Sequence, residues 1–286
     1  MIICVVGPTG VGKTKLSIML AKKYNGIIIN ADACQIYREL NIGTAKIKEN
    51  EKEGIDHLLF DIKNPDEEYS VFDYQKDLRK LLEEYRDRNI IIVGGTGLYI
   101  TAGLYDYKFS LKKEFDYSKY SNDELYEMYK NSNNNNLDIH PNNRRRLENY
   151  LNREEKNIEI PKLLYNNVYF IGLTTERSNL YKKINNRVDD MINAGLIDEV
   201  KALLNKYGNT RILGSAIGYK EIISYLNGKI SLEEAIELIK KNSRHYAKRQ
   251  YTWFNNKMNI QWFDTDFNNF NNTYNLVKNY LEKSAK

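Results

Sequence analysis

"GPTGVGKT", residues 7 to 14, follows a single short apolar run, Ile2–Val6, and decides how the rest of the chain is read. The stretch fits GxxxxGK[ST], and a helical pattern, Lys15–Tyr24, comes directly after it. The chemistry requires that order. Glycines let backbone N–H groups turn inward around an anion, and the helix that follows points its positive end at the same place. Gly7, Pro8, Thr9, Gly10, Val11, Gly12, Lys13 and Thr14 are therefore expected to hold a diphosphate or nucleotide. Lys13 would supply charge and the Thr14 hydroxyl a ligand for Mg²⁺. The loop alone does not say which phosphate compound it serves.

Working outward, Ile27–Asn30 and Ile90–Val93 read as further buried strands, and His57–Ile62 as another. Ser70 opens a capping box with Asp73, ahead of Val71, Tyr74, Leu78, Leu81, Leu82 and Tyr85 at helical spacing. Strands alternating with helices imply an α/β fold, a P-loop NTPase-like parallel sheet flanked by helices. Residues 1–105 would form the first part of that core. Residues 106–165 lack strand-like runs and carry an Asn-rich tract, Asn131 to Asn136. They read as a small, mainly helical insertion with a flexible stretch. Val168–Leu173 resumes the sheet, and 166–286 completes the core with C-terminal helices. One of these shows Leu180, Ile184, Val188 and Met191 on one face; Ser231 with Glu234 caps another that runs towards Trp253. The Asn-rich tail after Phe263 is expected to be peripheral.

Two absences lean against an ordinary ATPase or GTPase. A Walker B strand ends in an acid that helps hold the metal, whereas Ile90–Val93 ends in Gly94-Gly95-Thr96-Gly97. No guanine-reading NKxD occurs. The acid follows the second strand instead, in Ala31-Asp32-Ala33-Cys34-Gln35. A carboxylate at a strand's carboxyl end lies beside the ligand crevice of an open α/β sheet, although such a residue can also cap the next helix.

Composition narrows the class further. The formal charge is +5 over 286 residues, too modest by itself to mark a nucleic-acid binder. Its distribution is less even. Lys206 to Lys257 holds ten Lys/Arg against four Asp/Glu, and Lys240, Arg244 and Lys248 fall four apart on one helical stripe. Such a stripe is either a solvated face or a basic track for phosphates. The two cysteines, Cys4 and Cys34, form no CxxC pair. No apolar run reaches the ~18 residues of a membrane span, and the apolar start is too short for a signal peptide. A cytoplasmic protein with no membrane partner is expected.

The stretches "GPTGVGKT", "INADACQIYRELNIGTAK", "IIIVGGTGLYI", "IHPNNRRRLENYL", "GLTTERSNLYKKINNRVDDMINAGLIDEV", "SAIGYKE" and "RHYAKRQYTWF" occur in this order from residue 7 to about 254. Together they resemble the tRNA dimethylallyltransferases, which prenylate N6 of adenosine 37 beside the anticodon. The resemblance implies that the cradled group is the diphosphate of dimethylallyl diphosphate, which explains the missing Walker B acid. It makes Asp32 the general base and Thr96 a diphosphate contact, with Mg²⁺ as cofactor. It makes Asp32, Ala33, Cys34 and Gln35 the residues that meet the flipped base. Arg144, Arg145 and Arg146, with the stripe of Lys240, Arg244 and Lys248, would bind the anticodon stem-loop. A monomer is expected. Where the family usually has Ser after the Asp, this chain has Ala33; IHPND reads IHPNN, with Asn143, and a later arginine is Asn149. Three other readings compete: prenyl transfer to free adenine nucleotides, a P-loop small-molecule kinase, and a non-catalytic RNA-binding protein that has kept the cradle.

Overall fold

The computed structural model describes residues 1–109, 115–132, 139–152 and 162–284. Six strands form one parallel sheet: β1 Ile2–Val6, β2 Gly26–Asn30, β3 His57–Leu58, β4 Asn89–Val93, β5 Val168–Thr174 and β6 Gln261–Asp264. Their spatial order is β3-β2-β4-β1-β5-β6. The central strands, IICVV in β1 and GIIIN in β2, are buried along their whole length. Continuous β-branched runs suit that position, because helices cover both faces of a parallel sheet. β1 registers with β4 on one side (Cys4 opposite Ile92) and with β5 on the other (Cys4 opposite Phe170).

Ten helices among the described residues complete the fold. α1 (Lys13–Tyr24), α2 (Val71–Glu84) and α3 (Gly97–Leu104) interleave with the first strands. α2 starts at the expected capping box, with the Ser70 hydroxyl accepting the Asp73 N–H. α4 (Asn122–Asn131) and α5 (Arg144–Leu151) belong to a separate compact unit, residues 105–164; the remainder forms the other. That small unit has its own core of Leu125, Tyr129, Ile139, Leu147 and Tyr150. The Asn-rich tract falls, from residue 133 to 136, outside the described residues. α6 (Arg177–Asn193), α7 (Leu196–Tyr207), α8 (Tyr219–Leu226), α9 (Leu232–Lys257) and α10 (Phe270–Ser284) follow. The Ser231 box caps α9, and Leu180, Ile184 and Val188 are the buried face of α6.

Two expectations change. The third strand, expected over His57–Ile62, stops at Leu58. Leu59 and Asp61 take positive φ (60° and 54°), which no strand can continue through. Asn30 Nδ2 donates to the Leu59 carbonyl and Lys46 Nζ to Asp61, so the chain is tied down as a loop. The tail is not peripheral either. β6 pairs in parallel with β5, and α10 buries Phe270, Thr273, Val277 and Leu281. The Thr265 hydroxyl donates to the Val11 carbonyl, so the tail buttresses the phosphate loop itself. The many asparagines of this segment hid the apolar spacing beneath them.

Candidate active site

In a parallel sheet the loops after the strands gather at the carboxyl edge, where open α/β folds bind ligands. The loops after β1, β2 and β4 meet there. In the first, Gly7, Gly10 and Gly12 all take positive φ, the conformation that lets successive N–H groups face one point. Lys13 Nζ folds back and donates to the carbonyls of Gly7 (2.9 Å) and Pro8 (2.8 Å). Enclosure in the loop pushes its ammonium down to about 7; nearby Asp32 opposes the shift and Arg187 adds to it. The Thr14 hydroxyl is exposed at the start of α1.

The second loop carries the acid. Asn30 Oδ1 accepts the Asp32 N–H (2.8 Å), and Asp32 Oδ1 accepts the Cys34 N–H (2.9 Å). This small turn fixes the carboxylate without consuming its other oxygen. The Ala33 N–H donates to Thr96 Oγ1 (3.1 Å), and the Thr96 N–H to the Ala31 carbonyl (3.0 Å). Asp32 and Thr96, 64 positions apart in the chain, are thereby brought together. The Cys34 thiol is pushed up to about 12 by burial and by Asp32, so it is no nucleophile at neutral pH. Gln35 Nε2 donates to the Thr44 carbonyl (3.0 Å).

Three residues of the site were not singled out from sequence. Arg187, on α6, faces Asp32 and Lys13 electrostatically; burial lowers its guanidinium while Asp32 pulls the other way. Its Nη2 reaches the Thr44 carbonyl at 3.4 Å. The signal was available, since Arg187 falls three residues after Ile184 and seven after Leu180, on the buried stripe of α6. Tyr246 is hydrogen-bonded to Thr96, and burial and nearby Asp32 raise its phenol. Gln250 accepts the Thr9 N–H (3.1 Å) and donates to the Gly95 carbonyl (3.1 Å), bridging the phosphate loop to the loop after β4. Tyr246 and Gln250 are four apart on α9, on a different face from the basic stripe.

The basic residues divide. Lys240 pairs with Asp189 (2.9 Å) and Glu237 (3.3 Å), and Arg244 donates to Asn185 Oδ1 (2.7 Å) while lying 5.8 Å from the Tyr181 ring. Both hold α9 to α6. Lys248 is exposed and, with Arg177, Tyr181 and Tyr251, lines a cleft of about 380 Å³. Trp253 is half-buried and packs against Gly97, with its indole N–H buried. In the insertion, Arg144 pairs with Glu148 (2.7 Å) and donates to the carbonyls of Tyr117 and Tyr120. Arg145 and Arg146 are exposed. Asn143 caps α5, its side chain accepting the Arg146 N–H (3.3 Å), a role that the Asp of the usual pattern would fill equally.

No three His, Cys, Asp or Glu side chains cluster as a metal site among the described residues. The Thr14 hydroxyl is a hard oxygen donor beside the cradle, the kind Mg²⁺ uses when phosphate oxygens and water supply the rest. No described helix is long and apolar enough to cross a membrane.

The model of the IPP transferase family matches residues 35–257. A tRNA dimethylallyltransferase of Anoxybacillus flavithermus is 47% identical, over 98% of this chain and 96% of that protein. One from Fusobacterium nucleatum is 49% identical, over 92% and 91%. Among solved structures, a tRNA isopentenylpyrophosphate transferase of Staphylococcus epidermidis superposes with a TM-score of 0.76 at 37% identity, covering 99% of both chains. A eukaryotic dimethylallyltransferase acting on tRNA gives 0.82 at 28% identity, over 97% of this chain and 77% of that one. On sequence and architecture together, the chain belongs to the IPP transferase family.

Proposed function

We propose that this protein transfers the dimethylallyl group of dimethylallyl diphosphate to N6 of adenosine 37 in tRNAs reading codons that begin with U. The observation that carries the reading is the joining of the Asp32 loop, through the Ala33 N–H, to Thr96, with Asp32 within electrostatic reach of Lys13, on a chain whose relatives are tRNA dimethylallyltransferases.

Adenine N6 is a poor nucleophile, because its lone pair is delocalised into the ring. As N6 bonds to the allylic carbon, the carbon–oxygen bond to the diphosphate breaks and its electron pair leaves on the departing oxygen. The N6 proton passes to the Asp32 carboxylate, whose oxygen not taken by Cys34 is available. Lys13, Arg187 and the loop N–H groups hold the charge that grows on the leaving group. Thr96 positions the diphosphate against the Asp32 loop. Thr14 would hold Mg²⁺ against the diphosphate oxygens, where the ion supplies further neutralisation. A base in a folded RNA must leave its stack to reach this cleft, and Asp32, Ala33, Cys34 and Gln35 line the path proposed for it. Residues 106–165, with exposed Arg145 and Arg146, together with Lys248, supply RNA contacts in this reading, and Arg144, Lys240 and Arg244 support them from structural positions. The protein acts as a monomer in the cytoplasm.

The test is direct. The protein is incubated with dimethylallyl diphosphate, Mg²⁺ and an anticodon stem-loop carrying A36-A37-A38, and the RNA is weighed. A gain of one prenyl group, absent with ATP alone, is expected. Prenylation of free adenine nucleotides but not of the stem-loop, or phosphate transfer from ATP, would overturn the reading.

A further inference from the structure

Beyond the residues that face the reaction, one carboxylate sits where no catalytic role reaches it, yet it holds the loop beside Asp32. Glu199, on α7, accepts three backbone N–H groups from one turn: Asn41 (3.1 Å) and Ile42 (2.7 Å) on Oε2, and Gly43 (3.1 Å) on Oε1. Tyr219, at the start of α8, donates its hydroxyl to the same Oε1 (2.6 Å). Three convergent amides form an anion nest, and Glu199 is its anion. A carboxylate taking this many donors is far stronger than a surface ion pair.

The turn is shaped for this contact. A Cβ on Gly43 would lie 2.4 Å from the Tyr219 ring, so only glycine lets the turn seat on Tyr219. Tyr219 is wholly buried. α8 is itself anchored, since buried Glu221 accepts the Gly218 N–H (2.8 Å) and the Asn242 amide of α9 (2.7 Å). The far end of the same loop is pinned by Lys46, which donates to the Tyr37 carbonyl (2.7 Å) and to Asp61 (2.6 Å). Between these anchors lies Thr44, whose carbonyl takes Gln35 Nε2 at 3.0 Å and, more loosely, Arg187 Nη2 at 3.4 Å. Gln35 follows Asp32 by three residues in the same loop, and Arg187 lies within electrostatic reach of Asp32.

We infer that Glu199, locked by Tyr219, is a positioning residue for the reaction: it sets the 41–44 turn so that the Thr44 carbonyl places Gln35 beside Asp32 for the incoming base. The inference rests on the proposed prenyl transfer to RNA. A carboxylate that merely stabilised the fold would lower melting temperature and leave kinetics of the folded protein unchanged. A positioning carboxylate changes how RNA is used while the donor, held by the phosphate loop, is used nearly as before.

The experiment is a double-mutant cycle on the full-length protein, with Glu199→Gln, Gln35→Ala and the pair, all assayed below their melting temperatures. Glu199→Gln is expected to lower kcat/KM for the stem-loop about tenfold, and by less than about twofold once Gln35 is already alanine, as coupled residues do. KM for dimethylallyl diphosphate should move by no more than about threefold. Tyr219→Phe, which removes only one bond to Glu199, should give a smaller loss on the same parameter. Losses that simply add in the double variant, or a fall confined to melting temperature, overturn the positioning role and leave the proposed function standing. Absence of prenyl transfer by the wild-type protein overturns both.

Discussion

At the carboxyl edge of the sheet, the side chains proposed for the chemistry are held by hydrogen bonds within and between the loops that follow the strands. Asp32 takes an amide of its own turn, Thr96 an amide of the β2 loop, and Gln250 ties the β1 loop to the β4 loop. The two basic runs behave differently. Of their six residues, Arg144, Lys240 and Arg244 spend their charge on Glu148, Asp189 and Asn185, while Arg145, Arg146 and Lys248 are exposed. A reactive centre must fix geometry to a fraction of an ångström, so its residues are locked from several sides. Phosphate contact needs only charge within reach, so it is left to exposed side chains, and helical spacing alone does not separate those from packing residues.

That contrast can be broken most severely at the base. Asp32→Asn keeps the shape and the Cys34 hydrogen bond but cannot take the N6 proton. Single-turnover prenylation should fall ~10²–10⁴-fold while stem-loop affinity changes little. A near-normal rate would falsify the base assignment. Lys13→Ala comes next. Loss of a charge-assisted contact of about 1.5–3 kcal/mol should raise KM for dimethylallyl diphosphate by roughly 10- to 150-fold, and leave the stem-loop dissociation constant alone. Equal damage to both affinities would mean that the loop serves the fold and not the donor.

Titration sharpens the same point with a smaller effect. Lys13 is held near 7 in the free protein, far below an ordinary lysine, and a bound diphosphate would raise it again. Below pH 7 Lys13 is already protonated and contributes no slope. Above it, binding must take up a proton, so diphosphate affinity should weaken with rising pH by up to about tenfold per unit. Isothermal titration with inorganic diphosphate between pH 7 and 9, corrected for the ligand's own ionisation, measures this, and the remaining slope should vanish in Lys13→Ala. A pH-independent affinity in the wild type would show that Lys13 is charged without the ligand.

The smallest effects separate the two kinds of basic residue. Arg146→Ala and Lys248→Ala should each weaken stem-loop binding and flatten its salt dependence by about 0.7–0.9 per lost contact, at unchanged melting temperature. Arg144→Ala and Lys240→Ala should do the reverse, lowering thermal stability by about 1 kcal/mol or less with little change in salt slope. Identical salt slopes in all four variants would erase the distinction.

The sheet and the phosphate loop were legible because their signals are local: isoleucine runs between glycines, and a motif that demands a strand before it and a helix after. Asp32 was legible as the acid that follows the second strand, whereas Thr96 was proposed only through the resemblance of GGTG to the family pattern. Arg187, Gln250 and Glu199 were not, since each acts through contacts more than a hundred residues away, with the β2 loop, the phosphate loop and the 41–44 turn. The end of β3 was misjudged because left-handed Leu59 and Asp61 are imposed by Asn30 and Lys46, not by their own types. The tail was misjudged because asparagine-rich composition masked Phe270, Val277 and Leu281 at core spacing.

The central claim is that a cradle built like a nucleotide site here serves an allylic diphosphate. Quantifying the leaving group tests it most directly: inorganic diphosphate and orthophosphate are measured during a reaction with dimethylallyl diphosphate, the stem-loop and excess ATP. One diphosphate released per RNA prenylated, with ATP left intact, is the predicted result. Orthophosphate formed from ATP in step with turnover, or RNA modified without diphosphate release, would contradict it.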